Sequence, residues 1–439
     1  MNKKRHKLLI EWFKIAALKL DPRNPKKHSN RQIKLLAQSI KTLGFIVPVV
    51  IDQASLIRAG HARIMAAKTI GMTEVPVIRL TDLTDEQFRA FSIAENRLSE
   101  IATWDQQLLA TTLRDLSIAE IDFSLEVTGF SVAEIDLKIE GLSTTPPIAP
   151  DPADEIDVID TDPVSKSGDL WRLGRHRVYC GNALERNSYD MLMRKQLAHV
   201  VFSDPPYNVK IDGHATGKGK TRHREFAMAA GEMKSDRFTD FLSTTFAHTK
   251  RNSVNGSLHY YFMDWRHQIE ILNAGRDVFG ELKNLCIWVK NNGGMGSLYR
   301  SRHELIFVYK NGHGKHRNNV ELGRHGRSRS NVWEYAGSTS FGRNGEEGNL
   351  AALHPTVKPV TLIADALLDC SARGDIVLDP FIGIGSTLCA AERVGRVCYG
   401  MDIDPLYVDA TIRRWQKYCG DHAIHAVTGK RFDNLGTRR

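Results

Sequence analysis

The chain has 439 residues, 42% of them hydrophobic and 25% charged, with a formal net charge of +9. That length exceeds one ordinary domain and predicts two or three, in a soluble globular composition. No run of about 18 apolar residues occurs, which excludes a membrane-spanning helix and membrane partners, and the six cysteines form no CxxC pair and no zinc spacing. They read as reduced packing residues in a cytoplasmic protein without a metal site.

The first stretch, "MNKKRHKLLIEWFKIAALKL", carries Glu11 and Lys14 through its apolar part. It predicts a basic amphipathic helix rather than a signal peptide. Residues 1 to 41 hold 12 Lys or Arg against 2 acids, and a second basic block follows an acidic stretch, "DPADEIDVIDTD", at 151 to 162. Basic blocks on both sides of an acidic segment favour a polyanionic partner, nucleic acid above all.

"NRQIKLLAQSIKTLG" spaces Ile33, Leu36, Ile40 and Leu43 at helical intervals and stops at Gly44. A strand "PVVID" follows, then a strand running through Gly60 into a helix, "LIRAGHARIMAAKTIG", then a strand "VPVIRL". "TDEQFRAFSIAENRLSE" predicts a helix capped by Thr84 or Asp85. These elements make a small α+β unit over residues 1–140. Gly60, His61 and Arg63 stand at a helix N-terminus, where free N–H groups favour an anion; equally, Gly60 merely ends a strand and His61 faces solvent. Residues 141–166, rich in Pro, Ser, Thr and acids, predict an extended linker.

Beyond it, strands "LAHVVFS", "SLHYYFMD", "NLCIWVK", "ELIFVYK", "DIVLD" and "RVCYGMD" alternate with helices such as "PVTLIADALLDCSARG". Alternation of this kind implies an α/β sheet covered on both faces. In "DIVLDPFIGIGSTLCAAERVGRVCYGMD" a strand ends at Asp379, Gly383 and Gly385 make a turn, a helix starts near Ser386, and a second strand ends at Asp402. This is the layout of a Rossmann-like nucleoside site, in which glycines admit the ligand and the second acid accepts ribose hydroxyls. Leu388 replaces the third glycine of GxGxxG, which disfavours a nicotinamide-dependent Rossmann enzyme, and no GK(S/T) follows, which excludes a Walker loop. An adenosine compound without a gripped pyrophosphate fits better; an ordinary strand–turn–helix with an Asp cap is the bland alternative.

"VVFSDPPYNV", 200 to 209, ends a buried strand in a carboxylate, two stiff residues and an aromatic ring. Asp204 and the Pro205 carbonyl are two acceptors suited to the N–H bonds of an amine. Pro206 stiffens the turn, and Tyr207 offers a flat face to a heterocycle.

With these residues in view, the chain resembles the amino-group DNA methyltransferases. "DPPY" at 204–207 corresponds to their catalytic motif, "DPFIGIGST" at 379–387 to their S-adenosyl-methionine loop and "HPTVKP" at 354–359 to the motif before it. Catalytic motif before cofactor loop is the order of the permuted β group. "GDLWRLGRHRVYCGNAL", "GSLHYYFMDWRH" and "YRSRHELIFVYKNG" match as well, so the likeness covers about 167–420. The resemblance implies S-adenosyl-methionine as cofactor, bound by Asn182, Thr356, Lys358, Asp379, Phe381, Gly383, Gly385, Ser386, Thr387 and Asp402. It places Thr356 and Lys358 near the methionine end. That family usually has Asp where Asn182 stands and often Glu where Asp402 stands; Asp402 keeps the chemistry, whereas Asn182 alters its contact.

Residues 9–139 resemble the N-terminal domain of ParB-type partition proteins, through "GFIVPVV", "IRAGHARIMAAKTIGMTEVPVI" and "AENRLSE". Sulfiredoxin shares the fold, but Ala62 follows His61 where its catalytic cysteine would stand, and of the partition family's arginine pair only Arg63 is clear.

Together these features predict a ParB-like α+β domain followed by a Rossmann-like methyltransferase domain over 167–430, acting on adenine N6 in DNA. Two other readings stand beside it: N4-cytosine methylation, and a ParB-like regulatory protein with an inactive methyltransferase half. Inserted loops at about 208–224 and 311–345 are the expected target-recognition segments, with Lys218, Lys220, Arg222, Arg324, Arg327 and Arg329 as DNA contacts. A homodimer is compatible with the sequence, as is a monomer.

Overall fold

The computed structural model describes residues 8–119, 121–140, 153, 162–209, 228–291, 293, 298–320, 329–336 and 357–436. The chain divides into two compact units, residues 1–144 and 145–439.

The first unit opens with β1 (Ile10–Lys14), α1 (Asn30–Leu43), β2 (Val49–Ile51), β3 (Ile57–Ala59), α2 (His61–Thr69) and β4 (Glu74–Arg79). The sheet order is β1-β4-β2-β3, with β2 and β4 parallel and the outer pairs antiparallel. Gly44 and Gly60 take φ values of 90° and 101° at the end of α1 and the start of α2, a region where a side chain would be strained. The helix expected at the N-terminus is instead β1, at least from Ile10. The backbone groups of β4's edge pair with it, Glu11 bridges Arg79 at 3.1 Å, and Arg79 lies 5.0 Å above the Phe13 ring. Those contacts outweigh the weak helical spacing of its apolar residues.

Helix α3 (Asp85–Ile101) starts in a capping box, with Thr84 and Gln87 each accepting from the other's backbone N–H. Then α4 (Gln106–Ile118) and α5 (Val132–Glu140) pack around Leu113, Leu125, Ile135 and Ile139, a helical subunit that the α+β reading did not separate.

The second unit runs β5 (Leu170–Leu173), β6 (His176–Cys180), α6 (Arg186–Met193), β7 (Ala198–Ser203), α7 (Ser235–Arg251), β8 (Ser253–Met263), α8 (Gln268–Phe279), β9 (Leu282–Val289), β10 (His303–Lys310) and β11 (Val332–Glu334). It continues through α9 (Val360–Cys370), β12 (Ile376–Asp379), α10 (Ser386–Arg393), β13 (Val397–Asp402), α11 (Pro405–Cys419) and β14 (Ala423–His425). Among the described residues the sheet order is β11-β9-β10-β8-β7-β12-β13-β6-β5-β14. Its centre, β8-β7-β12-β13-β6, is parallel.

Alternation along β7 and β8 sorts the two faces. Val200, Phe202, Tyr260 and Phe262 join the core under α9, α10 and α11. Val201, Tyr261 and Met263 join the core with α6, α7 and α8. Helices therefore cover both faces, so the parallel strands can be apolar throughout and their carboxyl ends share one edge.

Part of the segment expected to be an extended linker packs against α11. The Ala153 carbonyl accepts from Arg414 Nε and Nη2 at 2.9 and 2.7 Å, and Val164 and Ser165 donate N–H bonds to Asp409 at 2.6 and 3.0 Å. Asp409 and Arg414 are buried on α11, and these backbone groups supply partners that burial demands. All six cysteines are free thiols. No helix among the described residues is long and apolar enough to cross a membrane.

Candidate active site

Strand β7 ends at Ser203, whose buried Oγ donates to Asp379 Oδ1 of the neighbouring β12 at 2.9 Å. The next residues leave the sheet, because Pro205 and Pro206 carry no N–H for the ladder. Asn208, at φ 54°, then clamps the turn. Its Oδ1 accepts from the N–H groups of Gly231 and Met233, both at 3.1 Å, and its Nδ2 donates to the Met233 carbonyl at 2.8 Å. Asp204 and Tyr207 are thus presented on a short, stiff bend at the carboxyl edge.

Around them lies a charge cluster drawn from four parts of the chain. Lys358 Nζ is 2.5 Å from Asp204 Oδ2 and 3.1 Å from Glu304 Oε2. Lys290 Nζ, just past β9, is 2.5 Å from Glu304 Oε1. The Tyr207 hydroxyl donates to Asp204 Oδ1 at 2.5 Å and lies 3.1 Å from Glu304 Oε2. Burial opposes the charge on Glu304, but two ammonium groups outweigh it and hold its carboxyl down at about 2. Burial pushes Asp204 up, with Lys358 opposing and Glu304 reinforcing. Burial also works against Lys358, and the two carboxylates overcome it and raise its pKa.

The glycine turn sits beside this cluster. Phe381 N–H donates to Asp379 Oδ1 at 3.1 Å, Ile382 N–H to the Met401 carbonyl at 3.0 Å, and Gly383 N–H to Asp402 Oδ2 at 3.1 Å. A Cβ on Gly400 would lie 2.1 Å from Ile382 Cδ1, and one on Gly385, which starts α10 at φ 83°, would lie 2.9 Å from Thr411. Those glycines let the turn lie flat on the sheet edge. Ser386 accepts from Arg414 Nη1 at 3.1 Å, and Thr387 hydrogen-bonds Asp379. Burial, against these hydrogen bonds, lifts Asp379 to about 6 and Asp402 to about 7. Asp402 Oδ1 also takes the Asp404 N–H at 2.9 Å. Gly181 N–H reaches the Asp402 carbonyl at 2.9 Å, which brings Asn182 to the same edge. Asn182 Oδ1 accepts from Leu184 N–H at 2.9 Å and its Nδ2 donates to Glu185 at 3.3 Å.

Lys358, expected near the methionine end of a cofactor, bridges Asp204 and Glu304, where the two acids hold its ammonium. One expectation needs correction. Arg329, expected to face DNA, is half-buried, 3.0 Å from Asp369 and 3.4 Å from Asp365 of α9. It donates to the Tyr335 hydroxyl at 2.6 Å and stacks on Trp333 at 5.2 Å. Thr356, Lys218, Lys220, Arg222, Arg324 and Arg327 lie outside the described residues.

In the first unit, Gly60 starts α2, and Arg63 Nη1 donates to the Val47 and Pro48 carbonyls, both at 2.9 Å. His61 Nε2 accepts from Asp21 N–H at 3.4 Å. Among the described residues no group of three or more His, Cys, Asp or Glu could hold a metal ion. Sequence reasoning missed Glu304, Lys290 and Asn208. Their one signal is position: a lone acid or base at the end of an otherwise apolar strand, or the residue that follows the motif.

A doubly covered sheet with a carboxylate bend beside a glycine turn at its carboxyl edge is the layout in which parallel α/β sheets form ligand crevices. Residues 198–413 match the DNA methylase family of N6/N4 type, residues 2–97 the ParB N-terminal domain, and residues 107–167 the ParB-methyltransferase helix-turn-helix domain. The last match covers α4 and α5. The chain thus carries a DNA methylase domain of the N6/N4 family behind an amino-terminal ParB domain.

Over 81 residues, 18% of this chain and 93% of the other, it is 44% identical to the ParB-like nuclease domain-containing protein YnaK of Escherichia coli K12. Over 258 residues, 54% of this chain and 73% of the other, it is 25% identical to the type II methyltransferase M.HpaI of Haemophilus parainfluenzae. A putative DNA modification methylase from Thermus thermophilus, solved with S-adenosyl-L-methionine, superposes with a TM-score of 0.38 at 21% identity, covering 56% of this chain and 96% of that one.

Proposed function

We propose that this DNA methyltransferase transfers a methyl group from S-adenosyl-methionine to the exocyclic N6 of adenine. The observation that carries the reading is the Ser203–Asp379 hydrogen bond, 2.9 Å. It joins the ends of β7 and β12, so that the acceptor bend and the glycine turn serve one reaction centre.

The residues present fit the methyl donor. Gly385 keeps the turn clear of Thr411, Asp402 offers a carboxylate to ribose hydroxyls, and Phe381, Gly383, Asn182, Ser386 and Thr387 lie in or beside the turn. When bound, S-adenosyl-methionine supplies an electrophilic methyl group on a sulfonium. Asp204 and the Pro205 carbonyl each accept one N–H of the target amine. Holding both draws the nitrogen lone pair out of conjugation with the ring and aims it, so positioning and charge complementarity lower the barrier. Asp204 is also the nearest base for the proton that the nitrogen sheds. The amine is out of reach within a duplex, so the base is flipped, and the Tyr207 ring is its stacking surface.

Adenine is favoured because Asp204 directly precedes the prolines; in the resembled family that Asp usually accompanies adenine and a Ser usually accompanies cytosine. Incubation with labelled S-adenosyl-methionine and DNA, followed by nucleoside chromatography, tests the reading. N6-methyladenine is expected. N4-methylcytosine as main product overturns the base assignment, and no transfer overturns the activity.

A further inference from the structure

Four ionisable side chains meet at the end of β7, although a stable fold has no need of them there. Burying an ion pair costs several kcal/mol per ion unless each partner is well satisfied, yet Asp204, Glu304, Lys358 and Lys290 stand in sequence across three strand ends and the segment before α9. Lys358 is 4% exposed and Glu304 9% at the side chain, while Asp204 keeps 24%. The buried members thus back the exposed one. Lys358 Nζ lies 5.0 Å from the Phe262 ring and 5.4 Å from the Tyr207 ring, and these rings restrict where the ammonium can sit.

We propose that Lys358 and Glu304 are positioning residues for methyl transfer: Glu304 fixes the Lys358 ammonium against Asp204 Oδ2, so that the carboxylate meets the target amine charged and in one orientation. The inference rests on the function proposed above. Asp204 Oδ1 is held by the Tyr207 hydroxyl and Oδ2 by Lys358. Each oxygen has a second lone pair, which remains available to the amine. Lys290 acts one step further out, by neutralising Glu304. Two carboxylates and two ammonium groups make the cluster neutral, so removing one member unbalances it in a known direction.

The groups that act on Asp204 are Lys358 and Glu304, with the Tyr207 hydroxyl as donor and Asp379 as a more distant like charge. Lys358→Met leaves Asp204 facing Glu304 without its cation, which raises the Asp204 pKa. The acid limb of the rate profile then moves to higher pH by roughly one to three units. Glu304→Gln removes the repelling charge, and the acid limb moves the opposite way. Lys358→Arg keeps the charge and restores the limb, while its altered geometry still lowers the rate, by roughly 100-fold for a misplacement of about 1 Å.

The experiment is single-turnover methylation of duplex DNA by full-length protein across pH 5 to 9, at saturating S-adenosyl-methionine. Cofactor binding by each variant serves as the folding control. Limbs displaced in opposite directions by Lys358→Met and Glu304→Gln support the proposal. If Lys358→Met does not fold, the downward shift in Glu304→Gln and the wild-type-like limb in Lys358→Arg decide it. Slower variants with the wild-type profile overturn this inference alone. An inactive wild type overturns the proposed function, and this inference with it.

Discussion

Lys358 and Asp204 are 154 residues apart in sequence and 2.5 Å apart in space. The lysine belongs to the segment before α9 and the aspartate to the bend after β7, and their contact closes the sheet edge at the point where the parallel strands deliver their chemistry. Neither residue is satisfied alone: a half-buried carboxylate and a buried ammonium each demand a partner. The pair makes the catalytic bend and the segment preceding α9 a single unit.

Binding and chemistry should separate by residue. Asp204→Asn keeps the shape of the bend but replaces one acceptor oxygen with a donor and leaves Lys358 to Glu304. Methyl transfer should fall by roughly 100-fold or more, the scale for losing an oriented polar contact to the reacting group, with cofactor affinity within several-fold of wild type. Asp402→Ala should instead weaken cofactor binding by about 1–3 kcal/mol through lost ribose hydrogen bonds. Calorimetric titration of both variants with S-adenosyl-methionine checks this, and equal losses would sink the division of roles.

Cofactor affinity should depend on pH through Asp402. Burial lifts its carboxyl to about 7, well above the usual range for Asp, whereas ribose hydroxyls donate to the ionised form. Binding therefore lowers the Asp402 pKa and releases a proton, so affinity rises with pH and levels off above about 7. The slope is at most about tenfold per pH unit. In Asp402→Asn only a residual dependence below pH 6 should persist, from Asp379 at about 6. Titrations at pH 6 and pH 8 test this; equal affinities would refute it.

Arg329 should behave as a brace for β11 and α9. Its guanidinium joins Asp369, Asp365 and the Tyr335 hydroxyl. Arg329→Ala should lower stability by roughly 1–3 kcal/mol, since it strips partners from part-buried acids. The slope of DNA affinity against salt should stay unchanged, because no phosphate contact is lost. Thermal unfolding and DNA binding at several salt concentrations measure the two effects. A shallower salt slope would return Arg329 to the DNA interface.

What could be read from the sequence was local. The glycine turn, the strands ending at Asp379 and Asp402, and the DPPY bend are each written within about 30 consecutive residues, and the structure joins them as the strand order requires. Glu304 was passed over because "HELIFVYK" reads as one more buried strand, and a lone acid at its start gains partners only when that strand end lies near β7. Arg329 was misread because a charge within a basic run looks solvated until its partners on α9 are located. The N-terminal segment was misread because spacing alone ignores an unpaired strand edge waiting on β4. Each miss is a long-range contact overriding a local pattern.

The amino-terminal unit should add DNA affinity without being needed for chemistry. Its first 41 residues carry 12 Lys or Arg against 2 acids, a density suited to phosphates, and residues 107–167 match a helix-turn-helix domain. The structure also dictates where the chain can be cut. A fragment starting at 167 would lose the N–H bonds from Val164 and Ser165 to Asp409 and the Ala153 carbonyl on Arg414, leaving buried charges short of partners. A fragment starting at 145 keeps all of them. That longer fragment should methylate DNA but bind it more weakly, with a salt slope shallower by roughly 0.9 for every phosphate contact removed. The fragment starting at 167 should in addition melt at a lower temperature. Binding isotherms for full-length protein and the 145 fragment across a salt series measure the contribution. Identical affinities and slopes would show that the amino-terminal unit serves some purpose other than holding DNA.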